Sequence, residues 1–502
     1  MEGLGSTDRY AKKWQILLAV SIGTMMVPLN ASIINISLPN IASFFGVSLS
    51  VAEWVLTSYF IMFIGLVLFF ARFGDFFGHE RLFMIGLVGF IGSSVLCSLS
   101  PSVGALILFR ALQGIAGSMV LSVSMVLVEK SFPTRYLGKA FGIYYLAVGA
   151  GLAIGPAIGG VMNSFFGWRS IFLVNVPLGI LALVMSYITF EVGKSSEVKW
   201  DLPGTVLQFS YLFLVIFALN SVEQADYLGA FLAGVLAVLL FALFIRAELR
   251  AESPMMELKF FKNKVFSAFN VCLHFNYICV YMLLFALPFY LQKVLHVGTG
   301  TSGLILTASP IVMMVMAPVS GFISDRVGSR IPVFAGSIIC AAALFAMTGL
   351  TTTSTPITIF CNLAVFGLGT ALFLSPANKT LMSALPEENV GMASGVIATI
   401  RDMGMVFAVC YGGLLIHSAI PAQMMLPDQI YGTAAQLLTE GIHRVMIFCA
   451  TLSIAMALLS LTGMKNRKQT VMHYEDLALK KTVSLEKRVS GAVNHILGGN
   501  ER

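Results

Sequence analysis

Arg110, His274, Arg401 and Asp402 stand inside long apolar stretches of this chain, where ionisable side chains are costly and therefore informative. An arginine near the centre of hydrocarbon costs at least ~2.5–3.5 kcal/mol, so each should face a packed interior or a water-filled cavity. Helical rise puts Arg401 ~15 Å into its stretch and Arg110 ~9 Å into its own. Arg401 and Asp402 are adjacent, and helical neighbours point in different directions, so each should have a separate partner. Asn270, His274, Tyr277 and Tyr281 recur at i, i+4, i+7 and i+11, one face of one helix. With His274 ~14 Å deep, that stripe reads as cavity lining, or else as hydrogen-bonded packing. Histidine changes charge nearest neutral pH, and His274 and Asp402 are the residues expected to bind a proton. Asn30, Asn35, Trp54 and Tyr59 would line the same cavity from an earlier part of the chain.

Other candidates have simpler explanations. Ser50-Val-Ala-Glu53 matches a capping box, which accounts for Glu53. No acid interrupts ILTASPIVMMVMAPVSGF, so the inferred cavity is apolar and aromatic. Met313, Met314 and Met316 would soften it, unless they face lipid. The seven cysteines lack metal spacing and read as small packing residues. Phosphate-binding loops, metal clusters and nucleophile–base pairs are not evident, so neither an enzyme nor a cofactor is expected.

The elements that must position these residues are membrane helices. Hydrophobic residues make up 57% of the chain and charged residues 11%, with mean hydropathy +0.88. Soluble domains run nearer ~45–50% and ~25%. Runs able to cross ~30 Å of hydrocarbon give fourteen spans. The first seven lie near 15–37, 52–70, 82–99, 105–128, 138–162, 169–190 and 203–220. The others lie near 227–246, 265–291, 302–324, 331–350, 355–378, 391–416 and 443–464. Span 1 is too long for a signal-peptide core and lacks a cleavage site.

Charge orients the spans. Arg9, Lys12, Lys13, Arg72, Arg81, Lys130, Arg135, Lys139, Lys194 and Lys199 fall on one face, as do the basic residues after spans 8, 10, 12 and 14. The opposite face holds Arg169, Lys293 and Arg444, each beside a helix end. By the positive-inside rule the basic face and both termini should be cytoplasmic, in a plasma membrane. The net charge of +7 is then a topology signal and does not imply nucleic acid.

Two patterns group the helices. In AVGAGLAIGPAIGG, Gly151, Gly155 and Gly159 recur every four residues, with Pro156 and Gly160 between and beside them. That stripe carries no side chains and lets a second helix approach closely. ARFGDFFGHER at 71–81 and GFISDRVGSR at 321–330 share an acid, a glycine three residues on and a terminal basic residue. Counting from these loops gives a six-helix bundle in 1–190, linkers and a two-helix insert in 191–264, a second bundle in 265–464 and a polar tail in 465–502. Part of that tail, 474–497, could form a surface helix.

These strings together resemble the fourteen-helix drug:proton antiporter branch of the major facilitator superfamily. GxxxGPxxGG is similar to its fifth-helix antiporter motif, and RALQGIAGS at 110–118 to its helix-4 motif with a membrane arginine. LNASIINISLPNIA at 29–42, AEWVLTSYFI at 52–61, GWRSIFLVNVPLG at 167–179 and WDLPGTVL at 200–207 also resemble that branch. The implied fold is all-α: two six-helix bundles with two additional central helices, fourteen spans in all.

The resemblance also implies roles. Asp75, with Gly78 and Arg81, would form a conformational switch in which Asp75 docks on the N-terminus of helix 13, near 389–391, when the cytoplasmic side closes. A solvated turn is the plainer reading. The loop departs from pattern at Ala71, Phe76, His79 and Glu80, and the second copy, with Asp325, Arg326 and Arg330, is nearer to it. Arg110 would tune proton coupling, or else bond backbone carbonyls. Asn30 stands where many members of the branch carry an acid, so no dedicated carboxylate for cationic drugs is evident. The expected function is efflux of small amphipathic organic compounds by a monomer driven by the proton motive force. Export of one dedicated metabolite, or a non-transporting sensor with this fold, are the alternatives.

Overall fold

With no water to satisfy backbone groups in hydrocarbon, a single-chain run of this apolarity must fold as helix. A computed structural model describes residues 12–190, 202–223, 226–250, 258–384, 390–425, 427 and 429–463. Among the described residues fourteen helices are long and apolar enough to span a membrane. The first six are α1 (Lys13–Phe45), α2 (Leu49–Phe77), α3 (His79–Ser98), α4 (Val103–Ser131), α5 (Thr134–Phe166) and α6 (Ser170–Thr189). Next come α7 (Leu202–Glu223) and α8 (Tyr227–Arg250). The last six are α9 (Lys264–Val294), α10 (Thr299–Val327), α11 (Arg330–Met347), α12 (Pro356–Ser383), α13 (Val390–His417) and α14 (Gly432–Gly463). The final turn of α9, Tyr290–Val294, is a π-helix, and α10 is interrupted at Thr307.

The packing repeats. In the first six helices α1 packs on α5 and α6, α4 on α2 and α3, and α3 on α6. In the last six α9 packs on α13 and α14, α12 on α10 and α11, and α11 on α14. These are the same pairs displaced by eight helices, as the duplicated loop implies. The bundles meet where α1 touches α9, α2 touches α13 and α5 touches α10. Helices α7 and α8 pack on each other, and α7 lies against both α2 and α13. Lys194 and Lys199, the segment ahead of α13 that includes Asn389, and the tail lie outside the described residues.

Positive-φ glycines end the two duplicated helices, Gly78 at +101° after α2 and Gly328 at +84° after α10. Other residues rarely adopt that backbone, so both loops require glycine. Cysteines behave as packing residues with one exception, Cys361, which is exposed while the other six are buried. The three basic residues opposite the basic face are all held by protein. Arg169 stacks on Phe44 and Trp168 and donates to the Ser100 carbonyl. Arg444 bonds Ser418 and faces Glu440, and Lys293 is buried, as described below.

Candidate transport site

Arg110 is enclosed by the first bundle. Gly114, one turn along α4, has no side chain because an added Cβ would overlap the Tyr59 carbonyl, so α2 and α4 approach closely there. Within that contact Arg110 is wholly buried. Its Nε donates to the Val55 carbonyl at 3.0 Å and its Nη1 to Gln113 Oε1 at 2.6 Å. Gln113 donates onward to Ser94 Oγ. The guanidinium lies 4.3 Å from the Tyr59 ring centroid, a cation–π contact strengthened by desolvation. Among the described residues no carboxylate pairs with it. Asn30 Oδ1 accepts from Asn175 Nδ2 at 3.1 Å, and Asn30 lies beside Tyr59. Asn35 bonds back to the Ala31 carbonyl of its own helix. Of the cavity candidates in this bundle, Asn30, Asn35 and Tyr59 are buried by protein, and Trp54 is half-buried.

The second bundle holds the charged pair. Contrary to the expectation of separate partners, Arg401 Nε meets Asp402 Oδ1 at 2.7 Å. The rule that neighbours diverge applies to Cβ directions; the arginine stem is long enough to fold back across them. Asp402 is 3% exposed and Arg401 23%, so the carboxylate is inside and the guanidinium at its mouth. Asp402 lies within electrostatic range of Tyr277 and Tyr281 on α9 and of Tyr59 on α2. Gly404 allows α9 close to α13: an added Cβ would stand 2.9 Å from the His274 carbonyl. There His274 Nδ1 donates to the Ile400 carbonyl at 3.0 Å, which leaves Nε2 as the acceptor nitrogen of the neutral ring. His274 and Tyr277 are half-buried, whereas Asn270 and Tyr281 are buried. Met313 lines a small apolar cavity with Leu152, Val280 and Phe366, but Met314 is exposed.

The seam between bundles holds small residues and two buried ionisable side chains, Glu53 and Lys293. Gly151, Gly155 and Gly159 all press on α1, where added Cβ atoms would overlap Met25, Ser32 and Ile33. The adjacent Gly160 and the Pro156 carbonyl instead press on α10, against Gly303. Across the seam Tyr281 meets Phe60 edge to face at 6.2 Å. Hydrogen bonds join the bundles from Gln292 to the Ile36 carbonyl at 2.8 Å and from Lys293 to Ser43 Oγ at 3.2 Å. Lys293 also donates to the carbonyls of Met425 and Pro427. Glu53 does not cap a helix. Helix α2 starts at Leu49 after Ser48, which leaves Glu53 in the second turn, 3% exposed, with its carboxylate against Gly413 of α13. The contacts of Gly160, Glu53, Gln292 and Lys293 join the bundles toward the face opposite the basic one.

At the basic face, Asp75 Oδ1 lies 3.1 Å from His79 Nε2, and His79 Nδ1 meets Lys130 Nζ at 3.0 Å. Arg81 is exposed and forms no ion pair with the described residues. In the second loop Asp325 pairs with Lys379 of α12, and Arg326 covers the Phe322 ring. Arg330 is exposed.

A model of the family described as the Major Facilitator Superfamily matches residues 20–409. The chain belongs to that superfamily. Within it, this protein is 31% identical over 450 residues to the riboflavin transporter RibZ of Clostridioides difficile, covering 87% of this chain and 98% of that one. It is 32% identical to the tetracenomycin C resistance and export protein of Streptomyces glaucescens, covering 82% and 77% of the two chains. Solved structures share the fold. A bacterial homologue of the human lysosomal transporter Spinster superposes with a TM-score of 0.64 at 15% identity, covering 91% of this chain and 99% of that one. The xylose transporter XylE of E. coli does so with 0.61 at 12%, covering 91% and all of that chain.

A superfamily transporter needs a seam that can open on either side and polar groups that both bundles can reach. Arg401–Asp402, Tyr277, Tyr281 and the half-buried His274 are the polar groups that the structure gathers on α9 and α13. Sequence reading gave Glu53 a capping role and Lys293 only a place beside a helix end, and it missed Asn276 and the glycines of α10. Asn276, buried with its Oδ1 unpartnered, falls off the i, i+4, i+7 set. Gly300 and Gly303 do carry a signal, in the string TGTSG at the start of α10.

Proposed function

We propose that this protein exports amphipathic organic compounds across the plasma membrane in exchange for protons, with both termini in the cytoplasm. The observation that carries this reading is the buried Asp402 carboxylate, held by Arg401 and within electrostatic range of tyrosines from both bundles. A proton or a substrate arriving beside Asp402 would compete for one charge, and such competition is what exchange requires. His274 Nε2 offers a second proton acceptor on the adjoining helix, and Arg110 holds the first bundle's polar network beside Tyr59. In the proposed topology the closed seam lies on the outer side. Asp75 would leave His79 and dock on α13 when the inner side closes.

Relatives named for drug or antibiotic export support broad efflux. A dedicated polar aromatic metabolite is the second reading, supported by the riboflavin transporter matched along 98% of its length. The amide- and tyrosine-rich interior would serve such a ligand. Purified protein in proteoliposomes should move substrate faster when a pH gradient is imposed. A panel containing flavins, neutral aromatic polyketides and lipophilic cations separates the two readings: several accepted compounds indicate efflux, one indicates a dedicated carrier. Transport that ignores the gradient contradicts the proton-driven reading.

A further inference from the structure

We propose that Glu53 is a proton-binding residue of the seam, whose protonation closes the side opposite the basic face and whose ionisation opens it. This deepens the reading above and rests on it for the direction of proton flow. Glu53 belongs to α2 of the first bundle, and its carboxylate is seated on Gly413 of α13 in the second. Any side chain at position 413 would occupy the space of both carboxylate oxygens, so the glycine is what admits the acid to the interface. In the closed seam Glu53 is 3% exposed. Once α2 and α13 part, it faces the aqueous phase on that side. An ionised carboxylate loses hydration on closure and a neutral one loses far less, so the closed seam favours the protonated form.

Among the described residues, the other polar groups near this end of α2 are placed as follows. From α13, His417 lies one turn beyond Gly413 on the same face, with its Nε2 buried and unpartnered. Tyr411 of α13 turns instead to Phe448 of α14. From α4, Arg110 bonds the Val55 carbonyl within the bundle. From α7, Asn220 and Ser221 bring neutral groups to this end of α2, with Asn220 Nδ2 3.5 Å from the Ser50 carbonyl. Lys293, also near the seam, is engaged by Ser43 and the carbonyls of Met425 and Pro427. The reaction is one proton taken from water by a carboxylate in the open state and returned when it ionises. The sign follows from linkage: the closed state binds the extra proton, so acid favours closing, by up to about tenfold in the open:closed ratio per pH unit for one proton.

The test is double electron–electron resonance between nitroxides at Leu99→Cys and Ile357→Cys, in a Cys361→Ser background in nanodiscs. Both sites are exposed on the far face, one in each bundle. From about pH 5 to about pH 9, spanning carboxylate and histidine titration, the wild-type distribution should shift from short to long. Glu53→Gln should hold the short distance throughout, and Glu53→Asp should keep the shift. Gly413→Ala should populate the long distance even in acid, which keeps the idea testable if Glu53→Gln folds poorly. A shift that survives in Glu53→Gln, or no shift in the wild type, overturns the proposal. Gradient-driven transport by the same wild-type protein is scored separately, so failure of the proton-driven reading is distinguishable from failure of Glu53.

Discussion

Asp402 and Arg401 form a pair of unequal burial, and that inequality predicts how each substitution behaves. Arg401→Gln strands a carboxylate that is 3% exposed, whereas Asp402→Asn strands a guanidinium that water reaches at 23%. Breaking a buried pair costs about 3–5 kcal/mol when the remaining charge is fully enclosed. Arg401→Gln should therefore lower the melting temperature in detergent clearly more than Asp402→Asn, while both lose acceleration by a pH gradient. Equal melting temperatures would mean that the pair is not asymmetric. Both residues were legible in the sequence as costly charges, but their pairing was not, because spacing rules describe Cβ directions and not the reach of an arginine. Glu53 was misread for a related reason. Its capping-box spacing is real, yet the helix begins two residues earlier than a cap at Ser50 requires.

At the scale of helices, the α5 glycine stripe was the most legible feature of the chain, and the structure gives it two different neighbours. Gly151, Gly155 and Gly159 fit α1 within one bundle, while Gly160 fits Gly303 of the other. The sequence shows only that side chains are missing, and the helix that fills each gap is chosen by the fold. Substitutions should separate these roles. Gly155→Val would drive a side chain into Ser32 and destabilise the protein by about 1–3 kcal/mol or more, seen as reduced expression and a lower melting temperature. Gly303→Ala presses on the Pro156 carbonyl at the seam, and should weaken far-side closure more than it weakens the bundle. Similar melting losses for both, with no change in seam distances for Gly303→Ala, would place the two contacts in one class. Asp75→Asn belongs to this scale too: it should express and melt near wild type but transport poorly, since its docking partner is a helix end. Normal transport would reduce the 71–81 loop to a turn.

For the whole molecule, fourteen helices and the duplicated arrangement were readable from hydropathy, the repeated loops and the distribution of Lys and Arg. The conformational state was not, because one sequence must fit both states of a transporter. Topology is checked by labelling: Ser195→Cys and Ala422→Cys should react from opposite sides of the membrane, the first from the cytoplasm. Same-side reaction would remove the arrangement of spans on which the proposed direction of transport depends. The central claim is exchange of substrate for protons at Asp402, and it is tested most directly by running the cycle on substrate alone. Proteoliposomes with a trapped pH indicator and no initial pH difference are given an outward substrate gradient. Wild-type protein should acidify the lumen as substrate leaves, and Asp402→Asn should pass no protons. Substrate efflux without acidification by the wild type, or undiminished acidification by Asp402→Asn, would contradict the account.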